Sequence, residues 1–226
     1  IPGTLRFFGE PAEKVCGSKP IHAAKGYYDD LDAMLSYHPT DANVVVWDTH
    51  CGCYWSAVFT FECTEPEKYL AGTDVKPASG GFDNVHTWAR TPGALDAVCL
   101  MYTTTKYTKE AMFAHTGSWT MNEYIMAAGE ATADNHAPHF SQIQYSWRSP
   151  TVRMQERMYS VLEKNAKVVA EATGCKASVT WVTKTRPGLA NHALAELAHR
   201  NMRLIGQPSY GEEAAGFIRA IQKNLG

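Results

Sequence analysis

The chain has 226 residues, of which 45% are hydrophobic, 11% aromatic and 19% charged, and its formal net charge at pH 7 is −2. This composition excludes a disordered or fibrous chain, and the near-neutral charge argues against charge-driven binding to nucleic acid or to an anionic membrane. No apolar run approaches the roughly 20 residues of a membrane span, and the six cysteines are too sparse for a disulfide framework. We therefore expect a reduced, cytoplasmic protein with no nucleic-acid and no membrane partner.

The first part of the chain predicts short strands separated by turns. Residues 4–8 contain Leu5, Phe7 and Phe8 and are followed by the turn residues Gly9 and Pro11, which predicts a short buried strand. A second strand is predicted over residues 33–38, with His38 at its carboxyl end. Open α/β sheets bind ligands at the carboxyl ends of their strands, so Glu13 and His38 are candidate site residues. The ordinary alternatives are a solvated turn for Glu13 and a hydrogen-bonded structural histidine for His38.

The central part of the chain alternates regularly between strand and helix patterns. We predict strands over residues 55–62, 119–127, 140–147 and 179–183, and helices over residues 92–112 and 149–174, the second capped by Ser149 and Pro150. This order is the ferredoxin-like β-α-β-β-α-β arrangement, an antiparallel sheet with two helices on one face. A polar loop is predicted over residues 64–85, and two further helices over residues 189–205 and 211–224.

The segments that flank this unit, residues 1–53 and 186–226, are each too short to form a core alone. We interpret them as two parts of one α/β domain, into which a ferredoxin-like domain of residues 54–185 is inserted. The predicted fold class is therefore mixed α/β (α+β), with the catalytic domain incomplete in this chain.

Two polar residues of the central unit are candidates for binding a substrate. Arg148 ends the most regular strand pattern, where its guanidinium can grip a carboxylate through two parallel hydrogen bonds. A surface salt bridge is an equally common role for such an arginine. Asn135 lies in a turn between two strands, where turn chemistry alone also favours asparagine.

Taken in order, the motifs of the chain resemble those of one enzyme family. Residues 4–13 resemble a strand leading into a Pro-Ala-Glu-Glu motif, and residues 26–39 resemble a G-x-x-D-x-x-D-A segment followed by His-Pro. Further matching segments are residues 91–101, 135–138, 148–150 and 172–175. The family is that of the aminoacylase/carboxypeptidase-type metallopeptidases, and within it the p-aminobenzoyl-glutamate hydrolase-like amidohydrolase branch. The inserted ferredoxin-like unit resembles the lid and dimerisation domain of that family.

The resemblance implies a role for each matching residue. Glu13 is similar to the general base that accepts a proton from the water attacking an amide carbonyl, and His38 resembles a metal ligand. Asn135 and Arg148 resemble lid residues that hold the carbonyl and carboxylate of the substrate, and His86 the lid histidine that reaches the active site of a neighbouring subunit. The implied cofactor is zinc or manganese, one or two ions, and the implied assembly is a homodimer formed through the lid.

The chain also departs from the family pattern. Lys14 stands where the second Glu of the motif should be a metal ligand, and an ammonium group cannot ligate a metal. The site then holds a single metal, or another residue such as Cys16 substitutes, or metal binding is impaired. Because a catalytic zinc normally takes three protein ligands, we expect others before Ile1 and after Gly226. We therefore expect the isolated chain to be inactive and to need a longer chain, or another chain, to complete it.

Three classes of function remain open. The first is a metal-dependent amidohydrolase that cleaves the amide bond of N-acyl or N-aroyl amino acids such as p-aminobenzoyl-glutamate. The second is a non-catalytic dimerisation or binding module derived from the same family. The third, an RNA-binding unit that uses aromatic residues of the sheet, is disfavoured by the net charge of −2.

Overall fold

The computed structural model describes residues 2–15, 17–38, 40, 42–48, 51–64, 93–113, 118–128 and 138–225. The chain divides into a first unit of residues 1–31 and 51–188 and a second unit of residues 32–50 and 189–226. The domain boundaries predicted at residues 53/54 and 185/186 remain a prediction.

The first unit is built around one antiparallel sheet. Its strands are β1 (Cys53–Glu62), β2 (Thr120–Ala127), β3 (Phe140–Ser149) and β4 (Lys176–Lys184), in the spatial order β2-β3-β1-β4. The helices of the described residues are α1 (Ser18–Ala24), α2 (Ala94–Met112), α3 (Val152–Thr173), α4 (His192–Ile205) and α5 (Glu212–Leu225), besides a 3₁₀ turn over Glu13–Val15. With α2 after β1 and α3 after β3, the order is ferredoxin-like, and the predicted fold class is confirmed.

The hydrophobic core lies between one face of the sheet and the helices α2 and α3. On β3 the predicted alternation is confirmed, because Ile143, Tyr145 and Trp147 are fully buried while the residues between them are partly exposed. The core includes Phe59, Phe61, Val98, Met101, Met158 and Leu162 from the neighbouring elements. A buried polar residue, Gln155 of α3, joins the helix to the sheet by donating Nε2 hydrogen bonds to the carbonyls of Cys53 (2.9 Å) and Trp147 (3.2 Å).

The N-terminal cap of the long helix α3 differs from the predicted one. Thr151, and not Ser149, is the N-cap residue, and its hydroxyl accepts a hydrogen bond from the Met154 amide at 3.2 Å. Ser149 cannot serve because it still belongs to β3, paired with Cys53 of β1. The predicted end is confirmed, since Gly174 takes the left-handed conformation (φ 68°, ψ 20°) that closes the helix.

The prediction of strands over residues 4–8 and 33–38 is wrong, because neither segment is a strand in the structure. A strand requires a partner, and within the described ranges neither segment pairs with another strand. Leu5 and Phe7, expected to be buried, are 99% and 93% exposed. The alternation of Leu5 and Phe7 with polar residues is present, but no sheet of the described residues covers their side chains.

The second unit contains the helices α4 and α5. Asn191 caps α4 by accepting the Leu194 amide at 3.1 Å, and the Trp47 ring stacks on His192 with their ring centroids 4.1 Å apart. Large apolar side chains of both helices are exposed, among them Leu204 and Phe217. None of the helices in the described part of the chain is long and apolar enough to cross a membrane.

Candidate active site

The predicted general base, Glu13, lies in a tight turn. It is the first residue of the 3₁₀ turn Glu13–Val15, and its side chain is exposed. Ala12 precedes it with a positive φ of 55°, which is uncommon for a residue other than glycine. The Ala12 carbonyl accepts hydrogen bonds from the amides of Val15 (3.3 Å) and Gly17 (3.1 Å), so the backbone on both sides of Glu13 is fixed.

A second carboxylate near this turn, that of Glu10, is held by a cluster of polar groups. The Tyr28 hydroxyl donates to Glu10 Oε1, His22 Nδ1 lies 2.9 Å from Oε2, and Ser18 also donates to the carboxylate. Hydrogen bonding from Tyr28, Ser18 and His22 holds the pKa of Glu10 below its ordinary value. Burial, together with the Glu10 carboxylate, raises the pKa of Tyr28 to about 12.

Two further contacts brace the segment that precedes the turn. The Arg6 guanidinium forms a bidentate ion pair with Asp30, with both N–O distances at 2.7 Å. The Phe8 ring packs edge-on against Tyr28, with the ring centroids 5.0 Å apart. Residues 6–10 are thereby tied to residues 28–30, which anchors the chain as it enters the turn of Glu13.

The Glu10 cluster was not predicted from the sequence. A signal for it is present in the spacing of Ser18 and His22, four residues apart on α1 and therefore on one face of that helix. Their common partner Glu10 lies outside the helix, and helical spacing does not reveal it.

The predicted substrate-binding arginine, Arg148, is exposed on the face of the sheet opposite the helices. In the sheet register it lies between Tyr54 of β1 and Thr120 of β2. Its guanidinium carbon is 4.6 Å from the centroid of the Tyr54 ring, in a cation–π contact. Among the residues that the structure describes, no carboxylate forms an ion pair with Arg148. The alternative of an intramolecular surface salt bridge is therefore not realised within the described ranges.

A hydrogen-bonded network covers the sheet face next to Arg148. The hydroxyl oxygens of Ser56 and Ser146 are 2.8 Å apart, and Gln144 Nε2 donates to Ser56 at 2.9 Å. The hydroxyls of Tyr54 and Tyr124 donate to Ser146 (3.3 Å) and to Gln144 Oε1 (2.9 Å), respectively. The network spans β1, β2 and β3, and these polar side chains hold one another in place.

The metal ligand predicted from the motifs, His38, is exposed and belongs to the second unit. Within the described ranges no group of three His, Cys, Asp or Glu side chains could hold a metal ion. Lys14 is exposed in the same 3₁₀ turn as Glu13, where its positive charge opposes a cation nearby. The described residues therefore do not by themselves fit the metal that the resemblance implies.

Three of the sequence-derived candidates lie outside the described residues. They are His86 and Asn135, predicted to bind substrate, and Cys16, considered as a substitute metal ligand. Their roles remain predictions.

Comparison with known proteins bears on the resemblance noted in the motifs. No family model matches the chain. Over 223 residues, 99% of this chain, the sequence is 24% identical to a subunit of the p-aminobenzoyl-glutamate hydrolase of Escherichia coli (strain K12). The predicted resemblance is confirmed. The chain spans 42% of the length of that relative, so the resemblance concerns a part of it.

The crystal structure of aminobenzoyl-glutamate utilization protein from Klebsiella pneumoniae shows the same fold. It matches 83% of this chain and 43% of its own, with a TM-score of 0.56 and 13% sequence identity. At that identity the match supports the architecture of the sheet and its helices.

Proposed function

We propose that the protein is an amidohydrolase that cleaves the amide bond of N-acyl or N-aroyl amino acids, with p-aminobenzoyl-glutamate as the leading candidate substrate. The observation that carries the proposal is the similarity of 99% of the chain to part of a p-aminobenzoyl-glutamate hydrolase. Within that length, the segments that contain Glu13 and Arg148 resemble motifs of the family, which supports the proposal.

In this proposal, Glu13 acts as the general base. Its exposed carboxylate accepts a proton from the water molecule that attacks the amide carbonyl of the substrate. The braces at Glu10, Arg6 and Tyr28 support this role, because a base must be held at a defined position to reach the proton it removes.

Arg148 is proposed to bind the carboxylate of the amino-acid part of the substrate. Its side chain is exposed, and its contact in the described part of the chain is with the face of the Tyr54 ring. Because no carboxylate of the described residues pairs with Arg148, its guanidinium N–H groups are proposed to bind the substrate carboxylate in bidentate geometry. Asn135 is proposed to bind the substrate carbonyl, and His86 to serve the active site of a neighbouring subunit.

The family resemblance also implies a divalent metal, zinc or manganese, which would supply Lewis-acid chemistry when bound. We propose that His38 contributes one ligand and that the others come from outside the described residues, in the same or another chain. The test is elemental analysis of the purified protein: His38→Ala should lower the metal content per chain, whereas His199→Ala, on α4, should leave it unchanged. An equal metal content in all three proteins would remove His38 from the site.

The proposed function is tested by measuring the release of p-aminobenzoate from p-aminobenzoyl-glutamate, and from its diamide as a matched uncharged substrate. Because the chain spans 42% of the length of its relative, the assay uses the complete protein, together with any further segment or partner chain. We expect Arg148→Gln to raise KM for p-aminobenzoyl-glutamate, the dicarboxylate, by about 10-fold or more, because the variant loses a charge-assisted pair of hydrogen bonds to the substrate. The KM for the uncharged diamide should be unchanged. An equal effect on both substrates would contradict the carboxylate role.

If the complete protein releases no p-aminobenzoate, the proposal fails, and a non-catalytic module becomes the better account.

A further inference from the structure

We propose that Tyr54 is a positioning residue for Arg148, and that its ring holds the guanidinium in the orientation in which it binds a substrate carboxylate. This inference rests on the proposed function, because it takes Arg148 to be the carboxylate-binding residue. It adds a specificity-determining residue that the motifs did not indicate.

The first step of the inference is that the Tyr54 side chain is itself fixed. The Tyr54 amide donates to the Thr185 hydroxyl at 2.8 Å, and that hydroxyl in turn lies 3.2 Å from the Tyr54 carbonyl. At the other end of the side chain, the phenol hydroxyl reaches Ser146 Oγ at 3.3 Å. Tyr54 is therefore anchored at two points, at its backbone by Thr185 and at its hydroxyl by Ser146.

The second step concerns what this fixed ring does to the arginine. Tyr54 and Arg148 are directly opposite one another in the antiparallel pairing of β1 and β3, and the guanidinium carbon lies 4.6 Å from the ring centroid. An exposed arginine ordinarily samples many rotamers, and a substrate that binds it must restrict them at a cost in affinity. Contact with the face of an anchored ring restricts that freedom before the substrate arrives.

The third step is that this contact leaves the donors of Arg148 available. A cation–π contact is made with the face of an aromatic ring, which carries no hydrogen-bond acceptor oxygen, whereas the guanidinium has five N–H donors in its plane. A salt bridge would instead occupy the donors that the substrate needs. Tyr54 thus orients Arg148 without competing for its ligand.

The experiment compares three variants of the complete protein in the hydrolysis of p-aminobenzoyl-glutamate and its diamide. Tyr54→Leu removes the ring and should raise KM for the dicarboxylate about 2- to 5-fold, with kcat unchanged. This is the fold-change that corresponds to the free energy of an exposed cation–π contact. Tyr54→Phe keeps the ring and loses only the hydrogen bond to Ser146, so its KM for the dicarboxylate should lie between those of wild type and Tyr54→Leu. Tyr124→Phe is the control, because it removes from the same sheet face a hydroxyl that donates to Gln144.

A double variant that combines Tyr54→Leu with Arg148→Gln separates the positioning role of Tyr54 from the carboxylate-binding role of Arg148. In that background Tyr54→Leu should have no further effect on KM for the dicarboxylate. If Arg148→Gln discriminates between the substrates but Tyr54→Leu does not, the positioning inference fails while the carboxylate role stands. If Arg148→Gln does not discriminate, both fail.

A measurement that needs no turnover tests the contact directly. The ring current of Tyr54 should shift the NMR signal of the Arg148 Nε proton upfield in wild type and in Tyr54→Phe, and Tyr54→Leu should abolish that shift. The same Arg148 shift in all three proteins would overturn the inference. Thermal unfolding of each variant identifies any loss that comes from misfolding.

Discussion

At the scale of single residues, two glutamates in one short segment have different environments. Glu10 is surrounded by the donors of Tyr28, Ser18 and His22, whereas Glu13, three residues later, is exposed. A carboxylate that accepts several hydrogen bonds is a weak base at neutral pH, because its charged form is stabilised. Glu13 is therefore the better candidate for proton transfer, and Glu10 for holding the turn.

The Glu10 cluster predicts a pH dependence of stability. Because the folded state lowers the pKa of Glu10, its stabilising contribution is present above the ordinary pKa of a glutamate and is lost as the pH falls through the lowered value. Because the folded state raises the pKa of Tyr28 to about 12, its contribution is complete below about pH 10 and is lost as the pH rises toward 12.

We therefore expect Glu10→Gln to be less stable than wild type at pH 7, with the difference shrinking at acidic pH. Urea unfolding measured from pH 3 to pH 8 provides the comparison. Glu171→Gln, at an exposed position on α3, serves as the control and should follow wild type throughout. A stability difference for Glu10→Gln that is constant with pH would contradict the ionic role assigned to Glu10.

Motifs in the sequence were sufficient to nominate Glu13, His38 and Arg148, because a motif names residues by their spacing along the chain. The partners of these residues could not be named in the same way. Tyr54 meets Arg148 only through the register of β1 with β3, 94 positions apart in the sequence. Tyr28 meets Glu10 only through a turn whose path the residue pattern does not specify.

At the scale of elements, the sheet depends on a close backbone approach just before β1. A Cβ atom added to Gly52 would lie 2.4 Å from the Ser149 carbonyl oxygen at the end of β3, closer than real contacts allow. We expect Gly52→Ala to lower the free energy of unfolding by about 1–3 kcal/mol, as overpacking does, in a denaturant titration.

Gly216 is the matched control for this substitution. It lies within α5, and apart from the backbone of that helix an added Cβ would meet no atom of the described residues within 4 Å. Gly216→Ala should therefore be neutral or stabilising by up to about 1 kcal/mol, because alanine favours a helix interior over glycine. Equal destabilisation by both substitutions would show that the contact with Ser149 is not the cause.

Elements of the ferredoxin-like unit were predicted correctly because their patterns are local. The alternation of β3 and the helical stripe of α3 can be recognised within ten to twenty residues, and both elements pack against one another. The segments 4–8 and 33–38 were predicted incorrectly, because a strand needs a hydrogen-bonded partner strand as well as a suitable residue pattern of its own. The cap of α3 was misplaced by two residues because pairing with β1 extends β3 through Ser149.

At the scale of the whole molecule, the assembly remains a prediction. The strand order leaves β2 at an edge of the sheet, and its consecutive residues Tyr124, Ile125 and Met126 are 55%, 41% and 47% exposed. Exposed strand edges with apolar side chains favour pairing with another chain. We expect a homodimer formed through this edge.

Sedimentation equilibrium tests that assembly. Wild type should have twice the monomer mass, and Met126→Lys should shift the equilibrium toward monomer, because a lysine disfavours edge-to-edge pairing. Val182→Lys places the same charge on β4, at the other edge of the sheet, and should remain dimeric. A wild-type monomer, or equal dissociation by both variants, would contradict dimerisation through β2.

Almost the whole chain is similar to a part of a longer relative. For this reason the fold could be predicted more fully than the site. The ferredoxin-like unit can be recognised from the sequence because all of its strands and helices lie within this chain. A metal-dependent active site needs ligands from several segments, and the described residues do not bring three of them together.

The most direct test of the central claim is the kcat for release of p-aminobenzoate from p-aminobenzoyl-glutamate by the complete wild-type protein and by its Glu13→Gln variant. We expect measurable turnover by wild type and a kcat lower by about 10²- to 10⁴-fold for Glu13→Gln, the usual contribution of a general base. Glu196→Gln, at an exposed position on α4, should match wild type. No turnover by wild type, or an unchanged kcat for Glu13→Gln, would contradict the assignment.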